Sequence, residues 1–341
     1  MMINLLTLVG SAVDDFHAEL SRVYAQGFLD AMVGNPDYCV YVAVVAPDGT
    51  WRFPSGLDLE GIEAAEPLAT PEALAWVIRN EIDVVVPQMF CRPGMTTFRA
   101  AFDLIGVPYV GNTPETMALT ADKHRARAVV AAAGVAVPRG EVVRSSTGSL
   151  VALPVVVKPV DADNSMGVSL VRDSQELGDA VDLALQYSAS ALVEQYIPLG
   201  REVRCGVVDR DGELMCLPLE EYAVDTEIRR STDKLDRSDS GDLFLVAKDD
   251  SKAWIVDADD PIVGAVWAAA RTCYDALGCR HYGLFDFRID PEGNPWFLEA
   301  GLYCSYSPSS VVAVMAAAAG IEVRELFAIA LAEIEREVNG R

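Results

Sequence analysis

The chain has 341 residues, 51% of them hydrophobic and 23% charged, a composition typical of globular rather than disordered proteins. Its formal net charge of −24 repels nucleic acid and anionic membranes, so neither is an expected partner. Seven cysteines without a C-x-x-C pair favour reduced thiols over a disulfide framework or a zinc ribbon. Because the sequence shows no basic signal segment and no apolar run of about 20 residues, we expect a soluble protein of the cytoplasm.

The first third of the chain alternates strand and helix patterns, which is typical of a parallel sheet in an α/β domain. Its predicted elements are strand 3–9, helix 16–31, strand 38–46, a helix from Thr70, strand 83–87, helix 95–105 and strand 108–111.

Further along, strand patterns predominate and the helices between them are fewer. The predicted elements are helices from Thr113 and over 121–133, strands 153–158 and 168–171, helix 175–186, strands 191–195 and 203–208, helix 260–276, strands 283–289 and 295–298, and two C-terminal helices. Residues 224–252 are polar and lack periodicity, so we predict a structureless stretch that acts as a lid over a site.

Two carboxylates end apolar strands that are joined by a tight turn. Antiparallel pairing about this turn brings Asp286 and Glu299 together. Two hard oxygen ligands suit Mg²⁺, which prefers one or two carboxylates plus substrate phosphates. The alternative is one surface carboxylate and one that caps a helix.

A second group of residues suits a phosphate ligand. Lys158 ends a β-branched strand, and the small polar loop 163–167 follows it, so an ammonium group and backbone amides could meet phosphates. Neither a Walker A loop nor G-x-G-x-x-G occurs. Glu194 and Glu202 flank a hinge that could hold adenine and ribose, although Glu202 could instead form an ion pair with Arg204.

Taken in order, these motifs resemble the ATP-grasp ligases of the D-alanine–D-alanine ligase type over nearly the whole chain. The motifs are Ala-Asp-Lys123-His, Val-Val-Val-Lys158-Pro, Asp-Asn-Ser-Met-Gly-Val, Val-Glu194-Gln-Tyr-Ile, Gly-Arg-Glu202 and Asp286…Phe-Leu-Glu299-Ala. The resemblance implies an α/β ATP-grasp fold with ATP between the second and third of three domains. We expect these domains at residues 1–120, 121–205 and 206–341.

The resemblance also implies roles for individual residues. The nucleotide-binding set is Lys123, Lys158, Asn164, Ser165, Gly167, Glu194, Gln195, Ile197 and Glu202. The magnesium ligands are Asp286 and Glu299, while Lys234 corresponds to a lysine of the family's mobile loop and Ser310 to a serine near the acceptor substrate. The expected substrates are therefore small molecules, namely ATP, an amino acid and a carboxylate or cyclohexenone acceptor. Whether the protein forms a homodimer stays open.

The sequence departs from the family pattern at three places. Gly301 stands where the second metal usually has an asparagine, and Leu284 stands where an arginine is expected two residues before Asp286. Arg288, two residues beyond, is the candidate replacement for that cation. Residues 88–95 lack the acidic anchor for a first D-alanine, and Arg92 suggests a carboxylate there.

Three stretches resemble one branch more closely, the ligases of mycosporine-like amino acid biosynthesis. They are Pro-Gln-Met-Phe-Cys-Arg-Pro-Gly-Met-Thr, Cys-Arg-His-Tyr-Gly-Leu-Phe-Asp-Phe-Arg and Phe-Leu-Glu-Ala-Gly-Leu-Tyr-Cys-Ser. The resemblance implies that an amino acid such as serine or threonine is joined to mycosporine-glycine through a phosphorylated intermediate. The alternatives are a D-alanine–D-alanine or other dipeptide ligase and a non-catalytic ATP-binding protein.

Overall fold

The computed structural model of the chain describes residues 2–146, 149–162, 165–224, 226–229, 235–237, 243–245 and 252–340. The strands are β1 Ile3–Gly10, β2 Tyr38–Val45, β3 Trp51–Arg52, β4 Val84–Pro87, β5 Gly140–Val143, β6 Val155–Pro159, β7 Ser169–Val171, β8 Ala191–Gln195, β9 Arg201–Arg210, β10 Glu213–Cys216, β11 Glu220–Tyr222, β12 Leu235–Arg237, β13 Leu243–Leu245, β14 Ala253–Ile255, β15 Tyr282–Ile289 and β16 Pro295–Ala300. The helices are α1 Asp15–Met32, α2 Leu59–Ala64, α3 Thr70–Arg79, α4 Arg92–Met95, α5 Thr97–Ile105, α6 Pro114–Thr120, α7 Lys123–Ala132, α8 Leu177–Leu185, α9 Val263–Leu277, α10 Val311–Ala318 and α11 Val323–Asn339.

The N-terminal sheet has the order β3-β2-β1-β4, in which β1 pairs in parallel with β2 and β4. Its strand β1 is mostly apolar and Leu5, Leu6 and Leu8 are fully buried, as expected for a parallel strand covered on both faces. The predicted parallel sheet is confirmed. The short antiparallel edge strand β3 was not predicted, because two residues carry no periodicity.

The remaining strands form antiparallel sheets. One has the order β5-β8-β6-β7, and α8 packs against β6 and β8. The larger one has the order β14-β11-β9-β15-β16, with β10 paired to β9. Its core includes Phe285, Phe287 and Phe297, and α7 and α9 pack against it. Both sheets end near the same space, where the predicted site residues lie.

Two predicted elements differ in the structure. The helix predicted over 95–105 is divided into α4 and α5 at Thr96, whose φ and ψ are −120° and −77°. The strand predicted over 108–111 is reduced to a single bridge between Val85 and Tyr109. No pattern-breaking residue marks the break at Thr96, whereas Pro108 and Gly111 bound the predicted strand and leave only two residues between them.

The interval 224–252 is not structureless, since β12 and β13 within it form an antiparallel pair. The prediction of a structureless stretch was wrong because two three-residue strands are too short to show an alternating pattern, whereas its action as a lid stays a prediction. The large sheet begins at Arg201, so the domain boundary expected at 205/206 would cut β9, and the three-domain division stays a prediction. Among the residues described, no helix is long and apolar enough to cross a bilayer.

Candidate active site

A first cavity of about 110 Å³ lies between the two antiparallel sheets. Nearly all the described residues that we predicted to bind a nucleotide line it: Lys123, Lys158, Ser165, Glu194, Gln195, Ile197 and Glu202. At the edge of the cavity, the end of β8 is fixed by a backbone hydrogen bond in which Gln195 N donates to Arg139 O at 2.7 Å. The structure therefore brings residues that are up to 79 positions apart in the sequence to one concave surface.

A buried ion pair forms one wall of this cavity. Lys158 Nζ lies 2.5 Å from Glu194 Oε1, and the two residues are only 8% and 4% exposed. They lie on the adjacent strands β6 and β8, which places both side chains on one face. In a pair this buried, each charge compensates the other. Removal of one partner would destabilise the fold, because the other charge would be left buried and unpaired.

A second ion pair closes the far end of the cavity. Arg288 Nε donates to Glu202 Oε1 at 3.1 Å, and Arg288 Nη1 donates to Ile197 O at 3.0 Å. The alternative pairing of Glu202 with Arg204 was wrong, because strand register sets Glu202 opposite Arg288 and Arg204 opposite Asp286. Arg288, the candidate replacement for the missing cation, is held at this end and lines the first cavity.

The loop after β6, predicted to cover phosphates, has a left-handed backbone at two positions. Ser165 and Gly167 have φ values of 56° and 68°, in the left-handed region that glycine adopts without strain. A Cβ at Gly167 would approach Tyr187 Cδ2 to 2.8 Å, so glycine is also needed for space. Asn164 and Lys234, predicted to contact phosphate and to belong to a mobile loop, lie outside the described residues.

The two carboxylates predicted to bind metal are cross-strand partners. Asp286 on β15 lies opposite Glu299 on β16, next to a register shift between Asp286 and Phe287. Lys123 Nζ lies 3.6 Å from Glu299 Oε2 and also donates to Ala162 O. A lysine and two carboxylates therefore lie together on the wall of the first cavity.

A second and larger cavity of about 380 Å³ adjoins the first. Four residues line both cavities: Lys123, Arg229, Asp286 and Glu299. The rest of its wall is rich in apolar and aromatic side chains, among them Tyr24, Phe90, Met95, Met117, Leu284, Leu302 and Tyr303. Ser310, predicted near the acceptor, lines this cavity, whereas Arg92 is exposed and does not.

Two arginines that the sequence analysis did not select line the second cavity. Arg204 Nε donates to Asp286 Oδ1 at 3.0 Å, and the guanidinium groups of Arg204 and Arg229 lie 4.4 and 4.0 Å from the ring centroid of Tyr222. Burial opposes the charge of Arg204, but Asp286 and Glu220 raise its pKa above the ordinary value. Burial, followed by repulsion from Arg204, lowers the pKa of Arg229. Arg204 could have been found from its alternation with Glu202 along one strand, which places both on the same face.

Two buried oxygens in this wall have no hydrogen-bond partner among the described residues. They are Glu220 Oε2 and Ser310 Oγ, in residues that are 6% and 5% exposed. Burial raises the pKa of Glu220, an effect that the charge of Arg204 opposes. Because buried polar atoms are usually paired, both atoms mark places where a ligand could bind.

Comparison with known proteins agrees with this geometry. The family model described as D-ala D-ala ligase C-terminus matches residues 136–332, more than half of the chain. The chain belongs to the D-alanine–D-alanine ligase family. It is 33% identical over 236 residues to a D-alanine–D-alanine ligase of Gloeobacter violaceus, which covers 66% of this chain and 72% of the relative. It is also 29% identical over 253 residues to the vancomycin B-type resistance protein VanB of Enterococcus faecalis, covering 72% and 71%.

Solved structures show the same fold. The VanG D-Ala:D-Ser ligase of Enterococcus faecalis superposes with a TM-score of 0.79 at 22% identity, over 97% of this chain and 99% of that one. The D-alanine–D-alanine ligase of Coxiella burnetii gives 0.76 at 16% identity, over 99% and 96%. The predicted α/β ATP-grasp fold is thus confirmed, as is the enzyme class, an ADP-forming carbon–nitrogen ligase that uses ATP.

Proposed function

We propose that the first cavity binds ATP, and that the second binds an acceptor and an amino acid whose amine is joined to that acceptor. The observation that carries this proposal is the junction of the two cavities, where Lys123, Arg229, Asp286 and Glu299 line both. A phosphoryl group that leaves ATP in one cavity for an oxygen in the other must cross this junction. Cations there stabilise the charge that is spread over the transferred group.

At the nucleotide end, we assign adenine to the hinge formed by Glu194, Gln195 and Ile197. Glu202 would accept hydrogen bonds from ribose while Arg288 holds it in place. Lys158 and Lys123 would contact the phosphates, and the loop with Ser165 and Gly167 would cover them. Each of these side chains already lies on the wall of one cavity or immediately beside it, so binding requires little reorganisation.

The junction also fits Mg²⁺. Asp286 and Glu299 supply hard oxygen atoms, and this ion commonly takes one or two carboxylates and completes its shell with phosphate oxygens and water. Gly301, in place of the family's asparagine, borders the second cavity, and a Cβ there would meet nothing within 4 Å. The space is therefore open for water or substrate in place of the amide. When bound, the ion would neutralise charge on the transferred phosphoryl group.

The protein's own groups then account for two chemical steps. An acceptor oxygen attacks the γ-phosphorus and ADP leaves, after which the amine attacks the activated carbon and phosphate leaves. We infer that Arg204 and Arg229 supply the positive charge that Leu284 cannot. Positioning of both substrates across one junction provides much of the rate enhancement, because it replaces encounters in solution.

The carboxylate of an amino acid is the first candidate for the acceptor oxygen. The relatives named above include D-alanine–D-alanine ligases, and this dipeptide reaction is better supported by the comparisons than the acceptor mycosporine-glycine. On this proposal the product is a dipeptide, or a D-amino acid joined to a related acceptor.

A ring acceptor such as mycosporine-glycine is the second candidate, and one observation favours it. The second cavity has the volume of a site for a ring-sized ligand, and apolar side chains such as Met95, Met117 and Leu284 form much of its wall. Leu284 in particular replaces a charged side chain with an apolar surface. In this reaction the phosphorylated oxygen would belong to the ring.

A substrate panel with Mg-ATP separates the candidates. One arm contains D-alanine alone, and the other contains mycosporine-glycine with L-serine or L-threonine. ADP release and the product mass are measured in each arm. A dipeptide mass supports the first candidate, and mycosporine-glycine plus one amino acid less water supports the second. ATP binding without ADP release in every arm would contradict the proposed function.

A further inference from the structure

One row of ionisable side chains crosses four neighbouring strands of the large sheet. Glu220 on β11 lies opposite Arg204 on β9, Arg204 lies opposite Asp286 on β15, and Asp286 lies opposite Glu299 on β16. All four residues line the second cavity. Since neighbouring strands are about 4.8 Å apart, Glu220 lies about 10 Å from Asp286, on the far side of Arg204. A small substrate could span this distance.

The carboxylate of Glu220 is incompletely paired. Its Oε2 accepts no hydrogen bond from the described residues, and the Arg204 guanidinium approaches it only to 3.8 Å, at Nη1. The next residue, Glu221, is equally buried but is well paired, because Arg201 Nε lies 3.0 Å from both of its oxygens. An unsatisfied buried carboxylate oxygen is costly, so a missing donor at Glu220 is a feature to explain.

We propose that Glu220 binds the ammonium group of the amino acid whose amine is ligated. An ammonium group brings several N–H donors and one positive charge, which match a carboxylate oxygen that accepts no hydrogen bond from the described residues. A divalent cation fits less well, because the cation Arg204 lies beside Glu220 and separates it from the next carboxylate of the row, Asp286. This assignment rests on the proposed function and adds to it the place where the amino group is held. The ammonium group passes a proton to the Glu220 carboxylate and attacks as the neutral amine, and phosphate leaves as the carbon–nitrogen bond forms.

The competing explanation is that Glu220 only positions Arg204. The two roles differ in what they do to ligands that lack the amine. If Glu220 binds the ammonium group, removal of the Glu220 carboxylate weakens the binding of amino acids but leaves the binding of their 2-hydroxy analogues unchanged. If Glu220 only positions Arg204, the same substitution weakens the binding of both kinds of ligand to the same extent.

The test is a cycle of protein and ligand changes on the full-length protein. D-alanine is compared with D-lactate, and L-serine with L-glycerate, by KM or inhibition constant in the ADP-release assay. In the wild type we expect the amine to bind about 10- to 100-fold more tightly than the hydroxyl, the effect of one charged hydrogen bond. In Glu220→Gln this ratio should fall to about one, with the KM for ATP unchanged.

The matched control is Glu221→Gln, which changes the neighbouring carboxylate on the same strand and should keep the amine-to-hydroxyl ratio. Glu220→Asp, which keeps the charge but shortens its reach, should give an intermediate ratio and guards against a folding defect in Glu220→Gln. A ratio that survives Glu220→Gln, or an equal loss for both ligand types, overturns the assignment while the proposed function stands. A wild type that releases no ADP with any amino acid overturns both.

Discussion

The two cavities of the site differ in how their buried charges are paired. In the first, Lys158 is paired with Glu194 and Arg288 with Glu202, so each charge has a protein partner before any ligand binds. In the second, Glu220 Oε2 and Ser310 Oγ are buried without a hydrogen bond from the described residues. The named charges of the first cavity are satisfied by other side chains, whereas the second cavity has two oxygens available to a ligand.

This difference separates stability from binding. A substitution in the first cavity breaks a buried pair, so it should lower the free energy of unfolding as well as activity. A substitution at Ser310 or Glu220 in the second cavity removes an oxygen that accepts no hydrogen bond from the described residues, so it should change ligand affinity with little loss of stability. A substitution at the junction of the two cavities should mainly lower kcat, because the junction residues are proposed to act on the transferred phosphoryl group.

The largest effect is expected at the junction, where Glu299 is proposed to hold Mg²⁺. Glu299→Ala should lower kcat by at least about 10²- to 10³-fold at saturating ATP and amino acid, because the transferred phosphoryl group loses charge stabilisation. Steady-state ADP release measures this. Glu292→Ala, in the turn between β15 and β16, is the control and should keep wild-type turnover.

The next effect tests the paired wall. Lys158→Met should lower kcat by about 10²- to 10³-fold through loss of a phosphate contact. It should also cost about 3–5 kcal/mol of unfolding free energy, because Glu194 is left buried and unpaired. Urea denaturation measures the second quantity.

The double variant Lys158→Met with Glu194→Gln separates the two losses. Removing the orphaned charge should restore most of the stability, while activity stays low because the phosphate contact is still missing. If the single variant unfolds at the wild-type urea concentration, the proposed contrast between the cavities is wrong.

The sequence was informative wherever a residue and its role lie within one short motif. Lys158 ends an apolar strand and Glu194 ends another, so local pattern alone predicted their place at the site. The Asp286–Glu299 pair could be predicted because one tight turn joins its two strands, and alternation with Glu202 pointed to the face on which Arg204 lies. The contact of Arg204 with Asp286, 82 residues away, and the place of Glu220 became visible only through register, because no single-segment pattern encodes which distant strands lie side by side.

Strand register also bears on Arg288, the candidate replacement for the cation that Leu284 lacks. Leu284, Asp286 and Arg288 alternate along β15, so Arg288 shares a face with Asp286 and was a reasonable replacement cation. Pairing of β15 with β9 set Glu202 beside Arg288 and Arg204 beside Asp286 instead. The cation beside Asp286 therefore comes from the neighbouring strand.

Arg204 provides a smaller effect that tests this replacement. Arg204→Lys keeps the charge but loses the planar fork that donates to Asp286, so kcat should fall by about 10- to 100-fold, the loss of one charged hydrogen bond. ADP release at saturating substrates measures it. Arg210→Lys, on the same strand but in an exposed pair with Glu325, should leave kcat unchanged. Equal losses in both variants would remove Arg204 from the mechanism.

The smallest effect concerns Ser310, which starts α10 on the wall of the second cavity. Its hydroxyl has no hydrogen bond among the described residues, so a bound amino acid could be its partner. Ser310→Ala should therefore raise the KM for the amino acid by about 2- to 10-fold, the value of one neutral hydrogen bond, with kcat unchanged. Stability should change little, because the hydroxyl makes no hydrogen bond with the described residues.

Ser307→Ala is the matched control for this variant. Ser307 Oγ is already bonded to Ser309 Oγ at 2.9 Å, so its removal breaks a contact within the loop and leaves the cavity wall in place. We expect the KM for the amino acid to stay at the wild-type value while the melting temperature falls slightly. A Ser310→Ala variant that changes the KM for ATP but not for the amino acid would place the acceptor site elsewhere. It would also remove one of the two unpaired groups on which the contrast between the cavities depends.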